Sequence, residues 1–365
     1  MNLGTTFARR PPDKVSEPPL RVMIVDDSTV ARAVLSRMIG AHEGFEIAAL
    51  AGSAHEALEA LKSVRVDIIL LDVEMPGASG IDALPEIIRK GRGARVLIVS
   101  SMAEEGAEVT VKALALGAAD ALPKPGVGNF AGRFSEILAD RLRRIGAATR
   151  DPAGGAASDQ GAIRLIEMSE GPIGCVALAA STGGLHALFE FLRPLPRPIG
   201  APILVTQHLP PIFMIHFARQ LANASGRKAV VVDDGDPLEN DVIHVAPGDA
   251  HLCLNQTSDG VRVKLDRRRA SSGCLPSADP MLESVAEIFG AAGIGVMLSG
   301  MGRDGLIGSR RIVDSGGAML AQDRHSAAIW GMPRGVAESG LASAVMPPAD
   351  LARRIAQRLE TNKWK

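Results

Sequence analysis

Short apolar runs of strand length recur along this chain, and each is followed by a stretch whose apolar residues fall three and four positions apart. In the first third the runs are Val22–Val25, Phe45–Leu50, Val66–Leu71 and Val96–Val99, with a weaker fifth at Ala121–Leu122. Between them Ala31, Val34, Leu35, Met38 and Ile39 share one helical face, and Phe130, Phe134, Ile137, Leu138, Leu142 and Ile145 mark a closing amphipathic helix. This strand–helix alternation predicts a parallel, doubly wound sheet. A small, polar, Gly/Ala-rich stretch, Ala147–Gln160, suits a linker. A second series follows: Ile173–Ala179, Ile203–Val205, Ala229–Val232, Gly295–Leu298 and Ala318–Leu320. Within it, Asp241–Asp266 alternates apolar and polar residues around turn signals and reads as an inserted hairpin. The expected fold class is therefore α/β, with two doubly wound parallel-sheet domains, the second larger and carrying a β-hairpin insertion. The expected divisions are a flexible leader 1–19, a first domain 20–146, a linker 147–171, a second domain 172–346, and a C-terminal helix and tail 347–365.

Composition narrows the function classes. Of 365 residues, 46% are hydrophobic and 22% charged, enough apolar side chain for two cores and too much for a disordered chain. Forty basic residues against forty-one acidic leave a net charge of −1, which argues against a nucleic-acid partner. No apolar run reaches the ~18–20 residues that a membrane span requires, and the N-terminal residues lack the apolar core of a secretion signal. A cytoplasmic protein without membrane insertion is expected. Cys175, Cys253 and Cys274 are odd in number and form no CxxC pair, so neither a disulfide framework nor a structural zinc site is expected.

In the first domain, acids stand at strand ends. Asp26 and Asp27 follow VMIV, and Asp72 follows IILL, which places all three at the carboxyl edge of the sheet. Three carboxylates there suit one Mg²⁺, a cation that prefers oxygen ligands. Ser100 ends the fourth run and Lys124 follows the fifth, adding a hydroxyl and an ammonium able to hold a phosphoryl group on Asp72. Singly, an Asp after a strand is more often a helix cap or turn residue. Taken together, the DD, LLDVEMP, strand-end hydroxyl and KP features resemble a response-regulator receiver domain over about residues 20–146. The resemblance implies that a histidine kinase phosphorylates Asp72, that Asp26 and Asp27 help hold the metal, and that Ser100 and Lys124 form the phosphate switch. Ala121 stands where such domains often carry an aromatic residue.

In the second domain, three polar signatures follow apolar runs: Ser181-Thr182-Gly183-Gly184, Thr206-Gln207-His208 and Ser299-Gly300-Met301-Gly302-Arg303-Asp304. If the three strands are parallel in one sheet, Ser181, His208 and Asp304 emerge on the same edge. A serine hydroxyl becomes a useful nucleophile when an imidazole takes its proton and a carboxylate fixes that imidazole. The chain order Ser…His…Asp matches neither the α/β-hydrolases nor the two common protease orders, and GxSxG is absent. From position alone, Ser181 also reads as a helix cap, His208 as a turn histidine and Asp304 as a turn acid. Gly300, Gly302 and Gly305 fit a dinucleotide spacing and Asp323 lies near the distance of a ribose-binding acid, but the βαβ context that this motif requires does not follow, so the reading fails.

The stretches AASTGG, TQHLPP, APGDAHL, PSADPMLESVA, SGMGRDG and AQDRHSAAIWGMP, spread over about residues 172–346, resemble the catalytic domain of the CheB-type protein-glutamate methylesterases of bacterial chemotaxis. The pairing of receiver and esterase is also that family's arrangement. The resemblance implies Ser181 as nucleophile, His208 as general base and then acid, and Asp304 as orienting carboxylate. Thr182 and the Met301 backbone N–H would support the oxyanion and substrate. It further implies hydrolysis of glutamate methyl esters on chemoreceptor cytoplasmic domains, possible deamidation of receptor glutamines, activation by phosphorylation, and no cofactor for the esterase step. Ala179, Leu275 and Arg324 depart from the family pattern, the last two at the pocket rim. The rival reading is a phosphorylation-controlled binding module without catalysis.

Overall fold

The computed structural model describes residues 18–75, 80–100, 104–124, 131–150 and 163–362. Residues 1–17 of the expected leader and 151–162 of the expected linker lie outside the described residues.

The first domain runs β1 (Leu20–Val25), α1 (Thr29–Gly40), β2 (Phe45–Ala51), α2 (Ala54–Ser63), β3 (Ile68–Leu71), α3 (Gly80–Lys90), β4 (Arg95–Ser100), α4 (Glu104–Ala115), β5 (Asp120–Pro123) and α5 (Ala131–Arg150). Its five strands are all parallel, in the order β2-β1-β3-β4-β5. The central strand β3, IILL, is buried along its whole length because helices cover both faces, which is why it reads as a continuous apolar run. Ser28 and Ser53 accept backbone N–H bonds at the starts of α1 and α2, ending the preceding loops. The strand order reverses direction between β1 and β3, so the crevice beyond their carboxyl ends receives Asp26, Asp27 and Asp72.

The second domain comprises β6 (Cys175–Ala180), α6 (Gly184–Leu192), β7 (Ile203–Gln207), α7 (Pro211–Ser225), β8 (Ala229–Val231), β9 (Ile243–Val245), β10 (His251–Thr257), β11 (Gly260–Asp266), α8 (Ala278–Phe289), β12 (Gly293–Met297), α9 (Leu306–Asp314), β13 (Ala318–Gln322), α10 (Met332–Glu338), β14 (Ala344–Met346) and α11 (Pro348–Asn362). Seven parallel strands lie in the order β14-β13-β12-β6-β7-β9-β8, and β10 and β11 form a separate antiparallel hairpin. The direction of winding changes at β6, whose neighbours are β12 and β7. Loops leaving these three strands therefore meet at one edge.

Three local expectations are corrected. The hairpin starts at His251, whereas Ile243–Val245 joins the main sheet between β7 and β8, since IHV is buried on both faces. Helix α5 continues to Arg150, past the position where a linker was expected, because Ala147, Ala148 and Arg150 are all good helix formers. The edge strand β14 was not expected; it has three residues, too few to show a period.

The two domains are packed together. Helix α4 lies against α7 and α6, and its Ala107 and Val111 belong to the same contiguous buried cluster as Leu185, Phe213 and Met214. At the margin, Glu108 faces Arg219 at 3.7 Å and His216 at 4.0 Å.

Candidate active site

Ser181 follows β6, His208 follows β7, and Asp304 lies in the loop after β12. At the shared edge the three side chains meet. His208 Nδ1 is 3.1 Å from Ser181 Oγ, and His208 Nε2 is 2.8 Å from Asp304 Oδ2. With Nε2–H donated to the carboxylate, Nδ1 is left as the acceptor for the serine proton. Asp304 is held from the other side: its Oδ1 accepts the Ser277 hydroxyl at 2.5 Å, and its Oδ2 also accepts the Ala278 N–H at 2.7 Å. Ser277 is at the same time the N-cap of α8, accepting from Asp279 N–H. One hydroxyl thus ties the helix start to the carboxylate.

Electrostatics follow from burial and pairing. The Asp304 side chain is 1% exposed and that of His208 16%. Burial opposes charge on both. For His208 that push is outweighed by the bond to Asp304, with Cys274 beside the ring adding to it, and the imidazole's pKa rises. For Asp304 the bonds from His208, Ala278 and Ser277 outweigh burial, and its pKa falls. The result is an ionised carboxylate beneath a strengthened base. The Cys274 sulfur lies within 4.8 Å of ligating atoms of both His208 and Asp304.

The two glycines after Ser181 are dictated by close approach. Gly183 has φ of +73°, and a Cβ there would come 2.3 Å from Ala328 Cβ; one on Gly184 would meet Ala180 Cβ and Gln207 Oε1 at 2.6 Å. They bring the start of α6 tight against β6, with its positive dipole end beside Ser181. Gln207 Nε2 donates to the Ser181 carbonyl at 2.8 Å, and Ser299 Oγ to the Thr182 carbonyl at 2.8 Å. The turn at Gly300 lies against Ser181, since a Cβ on Gly300 would be 3.0 Å from Ser181 Cβ.

The first domain reaches into this edge. Gly183 N–H donates to the Ala119 carbonyl at 2.7 Å. Thr182 Oγ1 donates to Asp120 Oδ2 at 3.0 Å, and Asp120 is also ion-paired with Arg141. In this arrangement the Thr182 hydroxyl is engaged by the first domain.

At the carboxyl edge of the first sheet, oxygens of Asp26, Asp27 and Asp72 lie within 4.8 Å of one another. Lys124 Nζ sits 2.6 Å from Asp72 Oδ2 and 3.1 Å from Asp26 Oδ2. Burial raises the Asp72 pKa, with the Asp26 charge adding to it against the lysine's pull. Burial likewise works against the Lys124 charge, but the two carboxylates prevail and its pKa rises. Ser100 Oγ is 2.7 Å from Thr110 Oγ1 of α4, both buried.

Comparison with known proteins places the chain. The model of the CheB methylesterase family matches residues 176–355, and that of the response regulator receiver domain matches residues 22–129. Protein-glutamate methylesterase/protein-glutamine glutaminase 2 of Caulobacter vibrioides is 40% identical over 343 residues, covering 93% of this chain and 99% of that protein. This chain belongs to the CheB methylesterase family. A second CheB relative, the protein-glutamate methylesterase/protein-glutamine glutaminase of group 2 operon of Bradyrhizobium diazoefficiens, is 35% identical over 92% of this chain and 93% of its own length. The crystal structure of the Thermotoga maritima CheB methylesterase catalytic domain is 32% identical, covers 51% of this chain and 98% of its own, and has a TM-score of 0.49.

In the sequence alone, Gln207, Ser277, Ser299, Asp120 and Cys274 carried no assigned role in the site. For Ser277 a signal existed: the PSAD stretch opens a helix, and a serine there is a cap. Asp120 carried none, because its partner Thr182 lies 62 positions further along.

Proposed function

We propose that this chain hydrolyses γ-glutamyl methyl esters on the cytoplasmic segments of chemoreceptors, acting in the cytoplasm, with Ser181 as the nucleophile. The observation that carries the assignment is the unbroken hydrogen-bonded line Ser181–His208–Asp304. Ser181 Oγ attacks the ester carbonyl carbon while His208 Nδ1 takes the hydroxyl proton. The tetrahedral oxyanion collapses, the C–OCH₃ bond breaks, and His208 returns the proton to the departing methoxide as methanol. Water, deprotonated by the same nitrogen, then opens the acyl-enzyme and leaves a glutamate. Asp304 stays ionised throughout and balances the transient imidazolium. The positive start of α6 and the Met301 N–H support the oxyanion. A glutamine amide passes through the same intermediate with ammonia as leaving group, and the relatives named as glutaminases favour that second activity. The esterase step uses no cofactor.

Control comes from the receiver. Docked, it places the Ala119 carbonyl on the Gly183 N–H and the Asp120 carboxylate on the Thr182 hydroxyl, so two donors beside Ser181 are taken by acceptors that a substrate needs to displace. A histidine kinase supplies the phosphoryl group to Asp72. Asp26, Asp27 and Asp72 fit a Mg²⁺ ion, three buried or edge carboxylates with converging oxygens; when bound, the ion neutralises charge on the incoming phosphate. Lys124 releases Asp26 to hold the new phosphoryl oxygens, and Ser100 turns toward them and away from Thr110. Helix α4, which carries Thr110 and packs on α7, is thereby loosened and the docked state weakened. A hundredfold shift in that equilibrium corresponds to about 2.7 kcal/mol.

The test is methanol release from methylated receptor membranes, with and without a small phosphodonor and Mg²⁺. Release that phosphodonor stimulates in the natural chain, and that Ser181→Ala abolishes, supports the reading. Equal release from Ser181→Ala overturns it.

A further inference from the structure

Beside the Ser181 loop, whose Gly183 abuts the lining residue Ala328, a cavity of about 800 Å³ opens between the two domains, within the size range of small-ligand sites. Its charge is one-sided. The receiver contributes Arg21, Arg65, Arg92 and Arg95 from the amino edge of its sheet, and Arg143 and Arg144 from α5; the second domain adds Arg324 and Arg334. The one carboxylate lining it, Asp67, already accepts the Arg21 backbone N–H. Arg144 and Arg334 have partners on their own helices, Asp140 and Glu338. The Nε atoms of Arg95 and Arg21 are buried with no hydrogen-bond partner among the described residues, and the carboxylate of Glu46 is 3.8 Å from the second of these. A cavity lined by eight arginines and one carboxylate attracts an anion.

The second domain's side of the cavity is in part apolar. Ile329, Ala327 and Met301 line it beside Trp330, whose indole N–H is fixed by the Gln322 carbonyl at 3.0 Å. The Arg324 guanidinium lies 5.9 Å from the centre of the Trp330 ring. A cluster of guanidinium groups facing an aromatic platform matches a ligand with several phosphates at one end and a planar base at the other.

We propose that this cavity binds a nucleoside polyphosphate, which bridges the two domains and stabilises the docked state. The consequence for activity rests on the reading that the docked receiver blocks Ser181; the binding does not. Because the walls belong to different domains, separation on phosphorylation would take the site apart. Linkage then requires that the nucleotide oppose phosphodonor activation by the same factor by which activation weakens nucleotide binding.

The experiment uses the full chain carrying Trp364→Phe, so that Trp330 is the sole tryptophan, titrated with GTP, ATP, tripolyphosphate, guanosine and poly-glutamate. Tryptophan emission and calorimetry follow binding, and methanol release follows activity. Expected are saturable binding of a nucleoside triphosphate, weaker binding of tripolyphosphate and guanosine, and a lower basal esterase rate. Arg65→Glu and Arg92→Glu, both at exposed positions, should each weaken binding about tenfold or more while melting like the natural chain. Absence of nucleotide binding overturns the proposal. Equal binding of tripolyphosphate shows an anion site with no base platform, and preferential binding of poly-glutamate shows a surface for an acidic protein; each overturns the nucleotide assignment. Binding that leaves the esterase rate and its activation by phosphodonor unchanged overturns the bridging role. Absence of phosphodonor activation in the nucleotide-free chain, with nucleotide binding intact, would instead count against the docking reading.

Discussion

Thr182 Oγ1, one residue beyond the proposed nucleophile, donates to Asp120 Oδ2 of the receiver across 3.0 Å, and both residues are buried. A hydroxyl at the mouth of one domain is thereby satisfied by a carboxylate from the other. The neighbouring Gly183 N–H is satisfied in the same way by the Ala119 carbonyl.

Asp120→Asn should raise the unstimulated esterase rate. Hydrogen bonds to a charged group contribute about 1.5–3 kcal/mol, and the change also strips Arg141 of its counter-charge. A rise of roughly tenfold is expected in methanol release without phosphodonor. A rate that stays level or falls would mean that this contact does not hold the domains together.

Ser277→Ala should damage catalysis through Asp304 rather than through substrate. It removes the 2.5 Å bond to Asp304 Oδ1 and the cap of α8 together. Stability should fall by about 1 kcal/mol from the cap alone. The value of kcat should drop while KM changes little, and the basic rise of the pH–rate profile should shift. A Ser277→Thr variant, which keeps the hydroxyl, should recover most of both; loss of stability with an unmoved pH profile would assign Ser277 to the helix alone.

Activity and stability should peak at different pH. Burial disfavours charge on His208, but Asp304 overcomes this and raises its pKa, so the stability this histidine contributes is full below the ordinary imidazole value of about 6.5 and is lost as pH rises through the folded value. Asp304 is depressed, so its contribution is present above about 3.9 and is lost as pH falls through its folded value. The pair therefore stabilises most between about pH 4 and 6.5. Catalysis needs neutral His208 and should keep climbing above that window. Asp304→Asn should lower the climb toward the ordinary imidazole range and reduce kcat by about 10⁴. Melting temperature and kcat followed over the same buffers would reveal a coincident optimum if the pairing were wrong.

Asp72→Asn should abolish phosphodonor stimulation and leave the basal rate in place, since Asp72 lies at the far edge of the receiver sheet from Asp120. Ser100→Ala removes the 2.7 Å contact with Thr110, so phosphorylation should still occur but with weaker stimulation. Radiolabelled phosphodonor and methanol assays separate the two variants; full stimulation in Ser100→Ala would exclude the hydroxyl from the switch.

Much of the fold was legible because buried parallel strands must be apolar throughout. IILL and CVALAA announce themselves, and the polar residue that ends each run necessarily lies on the ligand-binding edge. Ser181, His208, Asp72 and Asp26 were found in that way. What stayed hidden depends on tertiary pairing. The three-residue strands Ile243–Val245 and Ala344–Met346 are too short for periodicity. Cys274 stands in an irregular loop whose neighbours His208 and Asp304 are distant in the chain. The hydrogen bond from Thr182 to Asp120 joins two domains, and no local pattern encodes it.

The line from Ser181 through His208 to Asp304 is complete while the receiver is docked. Switching on therefore demands no rebuilding of the chemistry, only an unveiling, and its delay should be that of two bodies parting, on the microsecond-to-millisecond scale of domain motion. The same feature makes the shutter selective by girth. Ser181 is only half-buried, so an ester small enough to slip past the cover would be hydrolysed whether or not a signal has arrived, whereas a receptor helix must wait for it.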